Sequence, residues 1–398
     1  MKVLFASRNF FPKGAVGGAQ TSIKFLASSF TSLGHEAAVL SVDDHQHFGM
    51  HEATGIEERR VKLRNLEIKE HQNPARKVMW HLTDRFSGAM KATYREVLSE
   101  YRPDVVFSHV LAGLTTSVWD AATDLNIPVV HMVHDYYLLC LNSGMRRKGE
   151  NCASPCTACR FGAAGPSRHR SQQVASVIYV SDHVRKMHEA AGLFSRSSPH
   201  IIHGSYEPAR QPVPRTGTLS AEHLTLGYFG RFAPDKGVVE MIRALRDLGD
   251  VQWRLLIGGK GDEAYTARIK AEAAGLPIEF LGVQKPDEFY AKVDAVIVPS
   301  LWNDPAPRVV YEAGLHQVVP IVAERGGLPQ LVTYGGRGKV FDADDPESLR
   351  RHIRQLASDR GEITRIREEW GRTGDEFSQA SVSNRVLGVL HEAVTGRS

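Results

Sequence analysis

Cysteine is scarce in this chain: four residues in 398, all between positions 140 and 159, so no disulfide can tie distant parts of the fold together. Long apolar runs are missing as well, and nothing approaches the roughly 20 residues a membrane-spanning helix needs. The opening Met1-Lys2-Val3-Leu4-Phe5-Ala6 runs straight into a strand pattern without the apolar stretch of a signal peptide, so a cytoplasmic protein is expected. An excess of one charge sign is also lacking. Lys plus Arg number 49 against 45 for Asp plus Glu, a net +4, too little to argue for nucleic acid, and no nucleic-acid partner is expected.

What is present is a soluble, globular composition, 42% hydrophobic and 24% charged, in a chain too long for one ordinary core. Two domains are therefore the first expectation. Short apolar strands alternate with helical patterns twice over. Residues 2–6 read as a strand, 21–33 as a helix with Ile23, Leu26, Ala27 and Phe30 on one face, and 37–42 as the next strand. The theme repeats at 104–107, 128–133, 174–180 and 181–191. The stretch 204–222, with Pro208, Pro212, Pro214 and Gly217, breaks the periodicity. Strands then resume at 224–229, 253–258, 278–281, 295–299 and 319–323. Alternation of this kind predicts parallel sheets covered by helices on both faces. The spacing divides the chain into a Rossmann-like domain over 1–203, a hinge over 204–222 and a second Rossmann-like domain over 223–398, with a final helix free to pack back on the first. Open sheets of this type bind ligands beyond the carboxyl ends of their strands, so a cleft between the two domains is the expected active site.

Several motifs fall at such ends. Gly230-Arg231-Phe232-Ala233-Pro234-Asp235-Lys236-Gly237 follows the strand ending at Phe229 and leads into a helix from Val238. The planar fork of Arg231, the mobile charge of Lys236 and the free N–H groups of that helix suit a diphosphate. A solvated turn with two surface cations is the plainer alternative. Some seventy residues on, Asp304-Pro305-Ala306-Pro307-Arg308-Val309-Val310-Tyr311-Glu312 carries two carboxylates eight positions apart around a helix start. Backbone amides near Arg308 can meet phosphate or sugar oxygens, and Glu312 can accept from vicinal hydroxyls. Equally, Asp304 can cap the helix and Glu312 can form an outward ion pair. Gly17 and Gly18, in the turn after the first strand, either let the backbone approach a ligand or form a plain tight turn. The turn Gly259-Lys260-Gly261-Asp262 carries a weaker signal of the same kind.

Taken together, Gly17-Gly18, Gly230-Arg231 with Lys236-Gly237, Val298-Pro299-Ser300, the segment from Asp304 to Glu312 and Gly326-Gly327 resemble family 4 of the retaining glycosyltransferases, in order and over nearly the whole chain. The resemblance implies the GT-B fold, α/β with two Rossmann-like domains facing each other across a cleft. It implies a nucleoside-diphosphate sugar as donor, whose diphosphate Arg231 and Lys236 would bind, with Glu312 on the ribose and Asp304 addressing the sugar hydroxyls. Transfer would go to an acceptor hydroxyl on a carbohydrate, lipid-linked or small molecule, with no catalytic divalent metal. His134 opens His134-Asp135-Tyr136-Tyr137 after strand 128–133, where family members place a histidine near the transferring sugar. His109, after the strand ending at Phe107, is a further cleft candidate. Departures from the family pattern bear on the sugar: Asp304 stands for a glutamate, Ala306-Pro307 for Phe-Gly, Gln20 and Gln330 for acidic residues, and His203-Gly204 for Asn-Gly. Alternatives are another enzyme of this architecture, such as an epimerase or phosphorylase, or a non-catalytic module with a decayed donor site.

Cys140, Cys152, Cys156 and Cys159 are separated by eleven, three and two residues, spacings within reach of one tetrahedral metal. A structural zinc held by four thiolates is expected, with an iron–sulfur cluster or free thiols as alternatives. A cysteine-rich insertion after a His-Asp-aromatic start also resembles some members of the family. Residues 56–102 combine Arg59, Arg60, Lys62, Arg64, Lys69, Arg76 and Lys77 with a helical pattern over 78–98. Such a stretch can dock on an anionic membrane, so peripheral contact with the inner membrane face is an expectation alongside a solvated charged face.

Overall fold

The computed structural model describes residues 1–8, 10, 18–43, 47–50, 55–62, 80, 84, 88, 90–206, 223–333 and 336–396. They gather into two compact units, Met1–Ser205 with Gln379–Ser398, and Tyr206–Ser378. Residues 207–222 of the expected hinge lie outside the described residues.

The first unit is built on β1 (Lys2–Ala6), β2 (Glu36–Asp43), β3 (His47–Met50), β4 (Glu57–Lys62), β5 (Val105–Ser108), β6 (Val129–Val133), the two-residue pair β7 (Arg146–Arg147) and β8 (Glu150–Asn151), β9 (Ser176–Tyr179) and β10 (Ser198–Ile201). Eight of these form one sheet in the order β10-β9-β6-β5-β1-β2-β4-β3, parallel except where β3 runs back along β4. The central strands are apolar end to end. Val3, Leu4 and Phe5 of β1 and Val105, Val106 and Phe107 of β5 have no exposed surface, as a parallel sheet covered on both faces requires. The helix Gly18–Ser32 buries Ile23, Leu26, Ala27 and Phe30, the face its sequence spacing predicts. Ser181 caps the helix Asp182–Ala190, its side chain accepting from Val184 N–H at 3.4 Å. The last helix, Gln379–Thr395, packs in this unit. Gln379 donates to the Phe25 carbonyl at 3.0 Å and Arg385 to that of Ile201 at 2.8 Å, while Val382, Val386 and Leu390 are buried.

The second unit carries β11 (Leu224–Phe229), β12 (Trp253–Gly258), β13 (Ile278–Gly282), β14 (Ala295–Val298), β15 (Val319–Ala323) and β16 (Lys339–Phe341), an all-parallel sheet in the order β13-β12-β11-β14-β15-β16. Leu226, Leu255, Ala295, Ile321 and Val322 are fully covered. The helix Val238–Arg246 closes one face with Val238, Ile242 and Leu245. Because β11 lies between β12 and β14, and β14 beside β15, the loops leaving β11, β14 and β15 emerge together at one carboxyl edge. That edge carries the motifs of interest.

Of the charged stretch 56–102, β4 and the helix Lys91–Tyr101 are described, and most of what lies between falls outside the described residues.

Candidate functional site

In the second unit, backbone contacts clamp the loop after β11 against the loop after β14. The carbonyl of Asp235 accepts from Leu301 N–H at 3.0 Å and Trp302 N–H at 3.3 Å. Gly237 sits at φ +68°, and a Cβ there would meet the carbonyl oxygen of Pro299 at 2.0 Å, so this approach needs glycine. Behind the pair comes the loop after β15. Gly327 N–H donates to the Asp304 carbonyl at 2.8 Å, and Gly326 N–H to the Asn303 side chain at 3.2 Å. The weak glycine turn at 259–261 also has a structural role: Gly230 N–H donates to Gly258 O at 3.0 Å and Phe232 N–H to Lys260 O at 2.8 Å, fastening the loop that carries Arg231.

These contacts bring Lys236 and Asp304 together, Nζ to Oδ2 at 2.5 Å, with the ammonium 5.2 Å from the centre of the Trp302 ring. Asp304 is buried at 6% exposure. Arg308 pairs with Glu312 at 2.9 Å, one turn on, and Tyr290 Oη donates to the same carboxylate at 3.4 Å. Burial raises the Glu312 carboxyl above its ordinary value, against the pull of Arg308 and the tyrosine hydroxyl. Arg231 is the outlying member: its side chain is 64% exposed and meets Asp235 at 3.3 Å. Each of the three cations that the motifs single out thus faces a carboxylate.

Two sequence expectations change here. Asp304 does not cap the following helix, which spans Val309–Leu315 with Arg308 at its N-terminal flank. One of the amides expected to meet a ligand is engaged within the chain, Val310 N–H with Pro307 O at 3.2 Å. Tyr290 and Trp302 carried no motif signal, because their approach to Glu312 and Lys236 is made by folding alone.

In the first unit, His109 follows β5 and His134 follows β6, neighbouring strands, and the two imidazoles meet with Nδ1 of His109 3.0 Å from Nε2 of His134. Burial lowers His134 to about 4, and His109 lies well below its ordinary value from burial and its two histidine neighbours. Both rings are neutral at pH 7. Asp135 turns back on its own loop, accepting from Tyr137 N–H at 2.8 Å, and the Tyr137 hydroxyl donates to Asp84 at 2.5 Å. Gly18 is the first residue of the helix Gly18–Ser32, whereas Gly17 lies outside the described residues.

The expected zinc site is not formed. Cys140 and Cys159 are buried with sulfurs 3.8 Å apart, yet among the described residues no group of three or more His, Cys, Asp or Glu side chains is arranged to hold a metal ion. Burial pushes the Cys159 thiol up to about 12 and raises Cys152. Neither zinc nor an iron–sulfur cluster fits these four residues as they stand. Among the described residues no helix is long and apolar enough to cross a membrane.

Comparison with known proteins places these features in a family. Residues 16–210 match the model for "Glycosyltransferase Family 4", and residues 215–377 that for "Glycosyl transferases group 1". A 42.6 kDa protein of the Klebsiella pneumoniae cps region, described as uncharacterized, is 25% identical over 83% of this chain and 87% of its own length. The lipopolysaccharide core biosynthesis mannosyltransferase LpcC of Rhizobium leguminosarum is 30% identical over 38% of this chain, which spans about half of LpcC (46%). Among solved structures, Anabaena HepE in complex with UDP superposes with a TM-score of 0.73 at 17% identity, over 98% of this chain and 100% of HepE. The fold is therefore GT-B, α/β with two parallel-sheet domains. With one family match on each half, the chain belongs to the group 1, family 4 glycosyltransferases.

Proposed function

We propose that the protein is a retaining hexosyltransferase that takes its sugar from a nucleoside-diphosphate donor and serves polysaccharide or glycoconjugate assembly. The observation that carries this reading is the pairing of Lys236 with Asp304 and of Arg308 with Glu312, on the loops beyond β11 and β14 and the helix that follows, in a chain of this family. Lys236 and Arg231 would take the diphosphate, Glu312 the ribose and Asp304 the hexose hydroxyls, with Gly17 and Gly18 near the donor. The bond from the anomeric carbon to the diphosphate oxygen breaks and one to the acceptor oxygen forms on the same face. The acceptor proton passes to the departing phosphate. Negative charge growing on the leaving group is what preorganised cations stabilise most. His134, at the carboxyl edge of the other domain, would position the sugar and the acceptor hydroxyl.

HepE is titled as a complex with UDP, and elsewhere with UDP-glucose, which makes uridine nucleotides the first to test. LpcC is named for lipopolysaccharide core biosynthesis, which supports a carbohydrate or lipid-linked acceptor. The test is a thermal-shift and calorimetric screen over UDP, GDP and ADP and their hexose conjugates. A ligand that binds the native state raises the melting temperature, by about 2.7 kcal/mol of stability at a hundred times its Kd. At least one nucleotide should bind and release its sugar to an acceptor. Failure of every nucleotide to bind would end the proposal.

A further inference from the structure

We propose that His109 is a positioning residue that fixes the tautomer of His134, holding its proton on Nδ1 so that His134 meets its ligand as a hydrogen-bond donor and not as a base. The inference deepens the reading of His134 given above and rests on it.

The rings share one contact, Nδ1 of His109 to Nε2 of His134 at 3.0 Å, and both are neutral. Between two neutral imidazoles that contact holds one proton, so the pair has two arrangements. In the first, His109 donates from Nδ1, its Nε2 is a bare lone pair, and the His134 proton sits on Nδ1. In the second, His134 donates from Nε2 and the His109 proton must sit on its own Nε2. The surroundings of that atom decide between them. Nε2 of His109 is buried and has no hydrogen-bond partner among the described residues, and the residue is 2% exposed. Phe107 packs against the ring with centres 4.3 Å apart, and Phe5 is stacked on it at 5.7 Å and 12°. Neither phenylalanine offers a lone pair. A buried N–H with no acceptor is among the rarest polar defects in folded proteins, and an acceptor left unused is tolerated more often. The first arrangement is therefore favoured.

The remaining polar atom of His134 is Nδ1. His134 is half-buried, and among the described residues its Nδ1 has no hydrogen-bond partner and is not sealed from solvent. Carrying the proton, it presents an N–H to a hydroxyl or phosphate oxygen. The same logic fixes metal-bound histidines, where a partner on one ring nitrogen sets the state of the other. Here the partner is a second histidine, supplied by the neighbouring strand.

The test is the ring nitrogen and carbon shifts of His134 at pH 7.5 in the full-length protein. The Nδ1–H form is expected in wild type, and an Nε2–H form would overturn the proposal without touching the family assignment. His109→Asn keeps an N–H donor near the position of Nδ1 and should hold His134 in the Nδ1–H form. His109→Leu removes the donor, and His134 should drift to the Nε2–H form. Release of UDP from UDP-glucose should fall more than tenfold in His109→Leu and be rescued in His109→Asn, with the Kd for UDP unchanged in both. A His134→Ala protein as active as wild type would instead remove the role of His134 itself, whatever its tautomer. Should His109→Leu fail to fold, the wild-type spectrum and His109→Asn still decide.

Discussion

Lys236 Nζ lies 2.5 Å from Asp304 Oδ2, a contact that joins loops 68 positions apart and leaves the carboxylate 6% exposed. Under the proposed reading, Asp304 holds the ammonium that would meet the donor diphosphate. Removing one partner differs from removing both, because a buried charge left alone carries its full desolvation penalty.

Lys236→Ala should therefore lose both binding and stability. We expect Kd for the nucleotide found in the screen to rise by at least about tenfold, some 1.4 kcal/mol, and unfolding free energy to fall by roughly 1–3 kcal/mol. The double variant Lys236→Ala/Asp304→Ala should regain most of the stability and none of the affinity. Calorimetry and urea unfolding on the three proteins separate the two effects. Equal affinity in wild type and Lys236→Ala would remove this residue from the site.

Gly237 tests the clamp between the β11 and β14 loops. An alanine there combines positive φ with a Cβ at 2.0 Å from the Pro299 carbonyl. Gly237→Ala should cost more than about 2 kcal/mol in urea unfolding, through backbone strain and displaced loops. Gly249→Ala is the control: its Cβ would meet nothing within 4 Å, and the change should stay within about 0.5 kcal/mol.

Acid should weaken the first unit. Burial lowers His131 to about 3 and His188 to about 4, and both are essentially buried in the fold. Their unfolded value is near 6.5, so between about pH 6.5 and 4 the unfolded chain takes up protons that the folded chain refuses. Stability is complete above that window and declines as pH falls through it, by about 1.4 kcal/mol per pH unit for each histidine. His188 Nδ1 bonds the Val184 carbonyl at 2.8 Å, and His188→Asn keeps a donor there without titrating. Melting temperatures at pH 7, 6 and 5 should show a shallower decline in His188→Asn than in wild type.

The four thiols should differ in reactivity. Hydrogen bonds from the backbone amides of Cys159 and Ala158 lower Cys156, whereas burial holds Cys159 at about 12. Thiolate is the nucleophile, so iodoacetamide at pH 7.5 should modify Cys156 first and Cys159 last. Mass spectrometry of a time course reads the order. Uniform protection of all four, released by a chelator, would restore the metal site that the present geometry does not form.

Much of the second unit was legible in the chain itself. The runs at 224–229, 253–258 and 319–323 match β11, β12 and β15 at both ends, because strands buried on both faces are written as continuous apolar segments. Some strands of the first unit were not. β4 reads Glu-Glu-Arg-Arg-Val-Lys, and its buried Glu58 is held by Ser41 at 2.7 Å and Arg60 at 2.8 Å, partners that a local pattern does not reveal. β10 contains Pro199 and forms the sheet's outer edge, where a missing amide does no harm.

At the site, the motifs named the side chains but misassigned some of their neighbours. Asp304 read as either a cap or a ligand group; it does not cap the following helix, and its carboxylate meets Lys236. The cysteine spacing was compatible with a metal, yet spacing sets which residues can reach one another and not which do. His109 read as a cleft histidine with no stated task; its task follows from the ring beside it.

The sequence by itself determined the alternation of strands and helices, the division into two α/β units and the placement of cations just past a strand end. Each of these follows from periodicity and backbone preference within a few residues of chain. Only the tertiary structure decided which charge meets which carboxylate and which imidazole steadies another. Those pairings depend on strand order, β5 beside β6 and β11 beside β14, and strand order is settled by how whole apolar faces pack.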